Sequence, residues 1–135
     1  MTTIDDPVEA MMAADSASRA LGIRLIEHGD GRAHTRLAVE ENMVNGHGIV
    51  HGGWIFSLAD TAFACACNSR GPVTVAASAD IVFVSTARVG DELDAVAERR
   101  TSYGRHGIYD VTVRRGDDVI AEFRGRSQQL GGLRS

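Results

Sequence analysis

The sequence predicts an α+β domain in which a curved antiparallel β-sheet wraps around one long buried helix, over about residues 52–69, with a further helix at the N-terminus. Three observations predict it. From Trp54 to Cys67 the chain is apolar in almost every direction, interrupted only by Ser57, Asp60 and Thr61, and a helix that is hydrophobic all round belongs inside a core. After Pro72 the composition turns to Val, Ile, Ala and Thr in stretches separated by Gly-Asp and glycine turns, the pattern of antiparallel strands. The length of 135 residues and the hydrophobic content of 44% suit a single domain with a real core.

Each element has its own grounds. Asp5 to Leu21 reads as a helix, because Pro7 suits a first turn, acidic residues precede it and Gly22 supplies a stop. Residues 1–22 therefore form an N-terminal helical segment. Gly31 to Val39 alternates, with Ala33, Thr35, Leu37 and Val39 on one face and Arg32, His34 and Arg36 on the other, which makes a strand. A glycine loop from Asn45 to Gly53 leads into the apolar helix, which ends near Asn68-Ser69-Arg70-Gly71-Pro72. Beyond it, Val73–Ala87, Glu92–Tyr103, Ile108–Arg115 and Val119–Leu130 read as four strands in a meander. Neither linker nor repeat divides residues 1–135, and 131–135 reads as a loose tail.

Charge narrows the function classes. The net charge of −4 and pI near 5.7 argue against a nucleic-acid partner, which needs a basic face. A basic stretch followed by an apolar one is missing at the start, and the apolar helix is too short for a bilayer and carries an acid at its middle, so the expectation is a cytoplasmic protein with no membrane partner. All 14 basic residues are arginine, which excludes a Schiff-base lysine or a phosphate-loop lysine. Cys65 and Cys67 stand two apart on the helix, where they point in opposed directions and cannot bridge; core packing is their expected role.

The polar interruptions carry the chemistry. On a helix, Ser57, Asp60, Thr61, Ala64 and Asn68 fall on one narrow face, with Gly53 one turn earlier. This stripe reads as the face left uncovered by the sheet, so the monomer is incomplete. A seam that merely fixes helix register between two copies is the structural alternative. Functionally, a carboxylate in an apolar site can act as nucleophile or general base, and a helix N-terminus with unpaired N–H groups can hold an oxyanion. Glycine at 52 and 53 lets a substrate carbonyl approach the backbone. Gly52 and Asp60 lie eight residues apart, roughly 12 Å along a helix axis. Both must reach within about 3 Å of one reacting centre, so the pair has to be completed by two antiparallel helices from two subunits.

The residues that carry this reading also carry a resemblance. Met43-Val44-Asn45-Gly46-His47-Gly48-x-x-His51-Gly52-Gly53, then Ser57-Leu58-Ala59-Asp60-Thr61-Ala62-Phe63-Ala64 and Ala66-Cys67-Asn68-Ser69, resemble the hotdog-fold acyl-CoA thioesterases, with the PaaI-type phenylacetyl-CoA thioesterases of phenylacetic acid degradation as the nearest branch. Gly90-Asp91-x-Leu93, Gly107-Ile108-Tyr109-Asp110-Val111 and Phe123-Arg124-Gly125-Arg126-Ser127 extend the similarity over roughly residues 8 to 132. The resemblance implies a hotdog fold and hydrolysis of phenylacetyl-CoA or another aryl-acetyl-CoA, with no cofactor. Asp60 would be the catalytic acid and Gly52 the backbone donor that polarises the carbonyl. Asn45 and His51 would shape the site, and Thr61 would position water. It also implies a homotetramer built from two dimers. Relatives carry Asp/Asn-Phe-Leu-Arg-Pro where this chain has Val82-Phe83-Val84-Ser85-Thr86, which alters the CoA rim.

Rival readings are weaker. His47 and His51 stand four apart but in a glycine loop with no third ligand, so no metal is expected. Ser57 lacks a G-x-S-x-G elbow. In hotdog hydratases a histidine follows the acid by five positions, where this chain has Cys65. A non-catalytic acyl-CoA sensor is the alternative from another class, and a thioesterase for medium-chain or other acyl-CoA is the alternative within this one. Arg105, Arg124 and Arg126 are the candidates for the CoA phosphates. Trp54, Phe56 and Phe63 either line the acyl pocket or fill the core.

Overall fold

The computed structural model describes residues 6–130. The element order is α1 (Pro7–Ala13), α2 (Ser16–Leu21), β1 (Arg24–Gly29), β2 (Arg32–Ala38), a short 3-10 turn (Glu41–Met43), α3 (Gly52–Cys67), β3 (Thr74–Phe83), β4 (Glu92–Tyr103), β5 (His106–Arg115) and β6 (Asp118–Gln129). The strands form one antiparallel sheet in the order β1-β2-β4-β5-β6-β3, and α3 packs against it. This is the expected α+β hotdog architecture. The first and last five residues, including Asp5 of the expected helix and the expected 131–135 tail, lie outside the described residues.

Three details differ from the sequence reading. The N-terminal helix is two helices, because Asp15 acts as a second N-cap: its carboxylate accepts from the Ser18 N–H at 2.9 Å, while Ala14 ends α1. An additional strand, β1, precedes the expected first one. It joins β2 through Asp30-Gly31, with Gly31 at φ 72, and its place at the sheet edge leaves it without the in-out alternation that marks a half-buried strand. Finally, β3 does not continue the meander. It crosses over to pair with β6, from Thr74 opposite Gln129 to Phe83 opposite Ala121. The N–H groups of Val84 and Ser85 then converge on the Ile120 carbonyl and end the strand, and Val50 donates to Ala87 at 2.8 Å, tying the following segment to the loop before α3.

Packing explains how α3 reaches the sheet. Ile55, Leu58, Ala59, Ala62, Phe63 and Ala66 are buried with Leu37, Leu93, Ala95, Ala97, Val111, Val113 and Phe123 in one core. The small Ala95 and Ala97 permit close approach. Phe63 goes further: a Cβ on Gly125 would stand 2.7 Å from its ring, so the ring occupies the space a side chain would need. Phe63 thereby belongs to the core, and Trp54 ties α3 to α2 by donating from Nε1 to the Leu21 carbonyl at 3.3 Å. The far end of α3 is clamped by Asn68, whose amide donates to the Thr74 carbonyl and accepts from the Thr74 N–H, both at 2.9 Å.

Two substitutions test this packing. Gly125→Ala is expected to cost about 1–3 kcal/mol by overpacking against Phe63. Asn68→Ala is expected to cost about 1–3 kcal/mol by stranding the Thr74 backbone pair. Denaturant unfolding midpoints at unchanged slope would check both; parent-like midpoints would contradict the account.

Candidate active site

Asn45 folds the loop that presents α3. Its Oδ1 accepts from the N–H groups of His47 at 2.8 Å and Ile49 at 3.4 Å, while its own N–H donates to the Ile49 carbonyl at 2.8 Å. Val44 and Val50 bridge across the base of this turn. The loop therefore closes on itself and delivers His51, with extended backbone, as the N-cap of α3. The His51 Nδ1 accepts from Gly53 at a long 3.4 Å.

The Gly52 N–H takes no acceptor among the described residues. An unpaired first-turn N–H at the positive end of a 16-residue helix is a ready donor to an anionic oxygen. Gly52 also sits close to β3: a Cβ there would stand 3.1 Å from the ring of Phe83, the last residue of that strand, so the ring would have to give way by a few tenths of an ångström.

Asp60 lies two turns further on, partly uncovered. Its carboxyl is held above the ordinary aspartate value, first by burial and then by the negative charge of Asp15. The same influences include no hydrogen bond, so no donor among the described residues compensates the carboxylate.

The lane left uncovered on α3 is narrower than the predicted stripe. It runs through Gly53, Phe56, Ser57, Asp60, Ala64 and Cys67. Thr61 and Asn68 leave it: both are 8% exposed, Asn68 in the clamp on β3 and Thr61 with its hydroxyl 3.0 Å from that of Ser18. Both cysteine thiols are pushed up to about 12, chiefly by burial, so they stay protonated and fill space.

Asp15 and Ser18 are site neighbours that sequence reasoning missed. The Asp15 carboxylate accepts from the Ser18 hydroxyl at 2.7 Å, and that hydroxyl meets Thr61, beside Asp60. Their signal was present as an Asp-x-x-Ser cap, hidden because the segment read as one unbroken helix.

The structure brings Gly52, Asn45 and His51 together at the N-terminus of α3, and it spreads the three arginines. Arg124 holds Asp110 bidentately at 2.6 and 2.9 Å, and Arg126 pairs with Asp80 at 3.1 Å. Both alternate with residues that face α3, so they lie on the opposite side of the sheet from Asp60. Arg105 sits between β4 and β5 and lines a cleft near the C-terminal end of α3.

A buried helix packed against a six-stranded antiparallel sheet defines the hotdog class of fold. Comparison with known proteins fixes the family. The model of the thioesterase superfamily matches residues 47–122, more than half of the chain. Acyl-coenzyme A thioesterase PaaI of Escherichia coli (strain K12) is 43% identical over 124 residues, covering 91% of this chain and 89% of that protein. The structure of the E. coli PaaI protein superposes with a TM-score of 0.90 at 41% identity, covering 93% of this chain and 92% of that one. Acyl-coenzyme A thioesterase 13 of Homo sapiens is 30% identical over 94 residues, 67% of each chain. This chain belongs to the thioesterase superfamily and is a thioester hydrolase of the PaaI type. Among the described residues no helix is long and apolar enough to cross a membrane.

The raised Asp60 value has a stability consequence with a definite sign. The folded carboxyl keeps its proton to higher pH than the unfolded one, so stability falls as pH rises from the ordinary carboxylate value through the raised one and stays reduced above it. Asp60→Asn is therefore expected to melt higher than the parent at neutral pH, with the two converging in acid below the carboxylate range. Thermal melts across that pH range check this, and a parent that melts higher at neutral pH would count against it.

Proposed function

We propose that this protein hydrolyses phenylacetyl-CoA, or a ring-hydroxylated aryl-acetyl-CoA, to the free acid and CoA in sites shared between two subunits. The observation that carries this reading is that Asp60 and the Gly52 N–H have no hydrogen-bond partner among the described residues yet lie on one helix, roughly 12 Å apart, too far to serve a single carbonyl. Each waits for a group from a second copy. The E. coli relative, named as an acyl-CoA thioesterase and drawn from a phenylacetic acid degradation operon, supports the substrate class.

A surface suited to that second copy lies next to the site. β3 is a ten-residue edge strand whose Val82 and Phe83, with Val84 just beyond, are 61%, 51% and 56% exposed. A long apolar edge left open invites pairing with another strand. Two copies joined there bring their α3 helices side by side, and two such dimers form the tetramer.

In the shared site, the thioester oxygen rests on the Gly52 N–H of one subunit and the carbonyl carbon faces Asp60 of the other. As general base, Asp60 takes a proton from water while the water oxygen bonds to carbon. The oxyanion forms against the helix N-terminus, and its collapse breaks the C–S bond and releases CoA thiolate, which regains the proton. As nucleophile, the carboxylate adds to the carbonyl carbon, and collapse of the adduct breaks the C–S bond and expels CoA thiolate to leave a mixed anhydride. Water then opens the anhydride to the free acid and Asp60 carboxylate, its proton going to the thiolate. Both routes need ionised Asp60, and the desolvation that raises its pKa also makes it a stronger base. Asn45 and His51 serve by holding the loop and N-cap that aim Gly52, and Thr61 by docking α3 on α2.

Asp60→Ala is expected to lower kcat on phenylacetyl-CoA by about two to four orders of magnitude while oligomer size and circular dichroism stay unchanged. Parent-level turnover in that folded variant would refute the mechanism. Mixing inactive Asp60→Ala subunits with subunits inactivated by a bulky residue at Gly52 tests the sharing. Hybrids regain activity because one of their two sites is intact, whereas mixtures that remain dead would place both groups of each site on one chain.

A further inference from the structure

Seven residues beyond Asp60, Cys67 emerges on the same partly uncovered lane, about 10 Å further along the axis. Between them stands only Ala64, whose short side chain leaves the lane open. Cys67 then borders a cleft of about 120 Å³ between the C-terminal end of α3, the β4–β5 hairpin and β6. Its walls include Arg99, Arg105, His106, Tyr109 and Ser127, and no carboxylate among the described residues.

The charge of this cleft is not neutralised from outside. Arg70, also in its wall, and Arg99 share a single carboxylate, Asp30, at 2.8 and 3.4 Å. Arg105 and His106 form no ion pair among the described residues. On the outer face of the sheet Arg36 is matched to Asp94, Arg124 to Asp110 and Arg126 to Asp80. Guanidinium groups gathered around a small enclosed space fit the planar oxygens of a carboxylate.

We propose that this cleft is the far end of the acyl subsite and receives a carboxylate borne at the terminus of the acyl group, so that the substrates include ω-carboxyacyl-CoA thioesters. The proposal rests on Asp60 being the catalytic acid, which sets the carbonyl at one end of the lane. Distance then selects the acyl terminus over the CoA phosphates. To match the roughly 10 Å of helix rise from Asp60 to Cys67, an extended diacid chain needs about eight carbons, whereas the pantetheine arm leaves from the opposite side of the carbonyl and is much longer.

The test compares suberyl-CoA, the eight-carbon diacid thioester, with its uncharged terminal amide in the intact oligomer. The parent is expected to favour the carboxylate in kcat/KM by about tenfold, and the exposed-turn double variant Arg105→Gln, His106→Gln to bring that ratio close to one. Reading a ratio cancels any loss common to both thioesters. A parent without preference overturns the proposal. So does a variant whose ratio is unchanged: if both rates fall together, the arginine serves the CoA phosphates instead, and if neither falls, the cleft binds nothing. Failure of the Asp60 reading is distinguishable, because Asp60→Ala would then hydrolyse phenylacetyl-CoA and both suberyl compounds at the parent rate.

Discussion

Covering α3 is the constraint on which the rest of the molecule depends. A 16-residue helix with eight buried positions has to be enclosed on most of its circumference. Each large apolar side chain taken from water contributes about 1.5–3 kcal/mol, so the helix dictates the curvature of everything around it. The sheet supplies one side, made close-fitting by Ala95, Ala97 and Gly125, and the N-terminal helices supply another through the Ser18–Thr61 and Trp54–Leu21 contacts. What neither reaches is the lane containing Asp60. The proposed active site is thus the remainder of a packing problem, and the proposed second copy would answer the same requirement.

Electrostatics works along the same helix. The N-terminus presents a bare N–H and the positive end of the dipole, while the middle carries a carboxylate with no hydrogen-bond donor and with Asp15 nearby. Both are unfavourable in an isolated chain, one as an unpaired donor and the other as a desolvated charge. In the proposed shared site the substrate carbonyl would accept from the bare N–H, and the attacking water would donate to the carboxylate. Functional sites commonly hold such locally costly groups, and here the surrounding core is well satisfied, since no buried side-chain nitrogen or oxygen among the described residues lacks a partner.

The arginines differ in how they are matched. On the outer face of the sheet Arg36, Arg124 and Arg126 pair with carboxylates, where such pairs contribute little to stability. Around the cleft at the end of α3 the arginines outnumber their partners, which leaves positive charge for a ligand.

The sequence by itself determined the buried helix, its start and its acid, because hydrophobicity on all sides and glycine punctuation are local properties of residues 52–67. The spacing of Gly52 and Asp60 was equally legible, since helix rise is fixed by backbone geometry. The split at Asp15 and the strand β1 were written there too, as a cap and an Asp-Gly turn, but in patterns too short to outweigh a longer reading. Only the tertiary structure decided that β3 pairs with β6, that Thr61 and Asn68 turn inward, and that Arg105 joins a cleft while Arg124 and Arg126 do not. Those outcomes depend on which surfaces meet across long sequence separations. Periodicity tells which face of a strand or helix a residue occupies; what lies opposite that face is settled by the competition among all elements to cover the same helix.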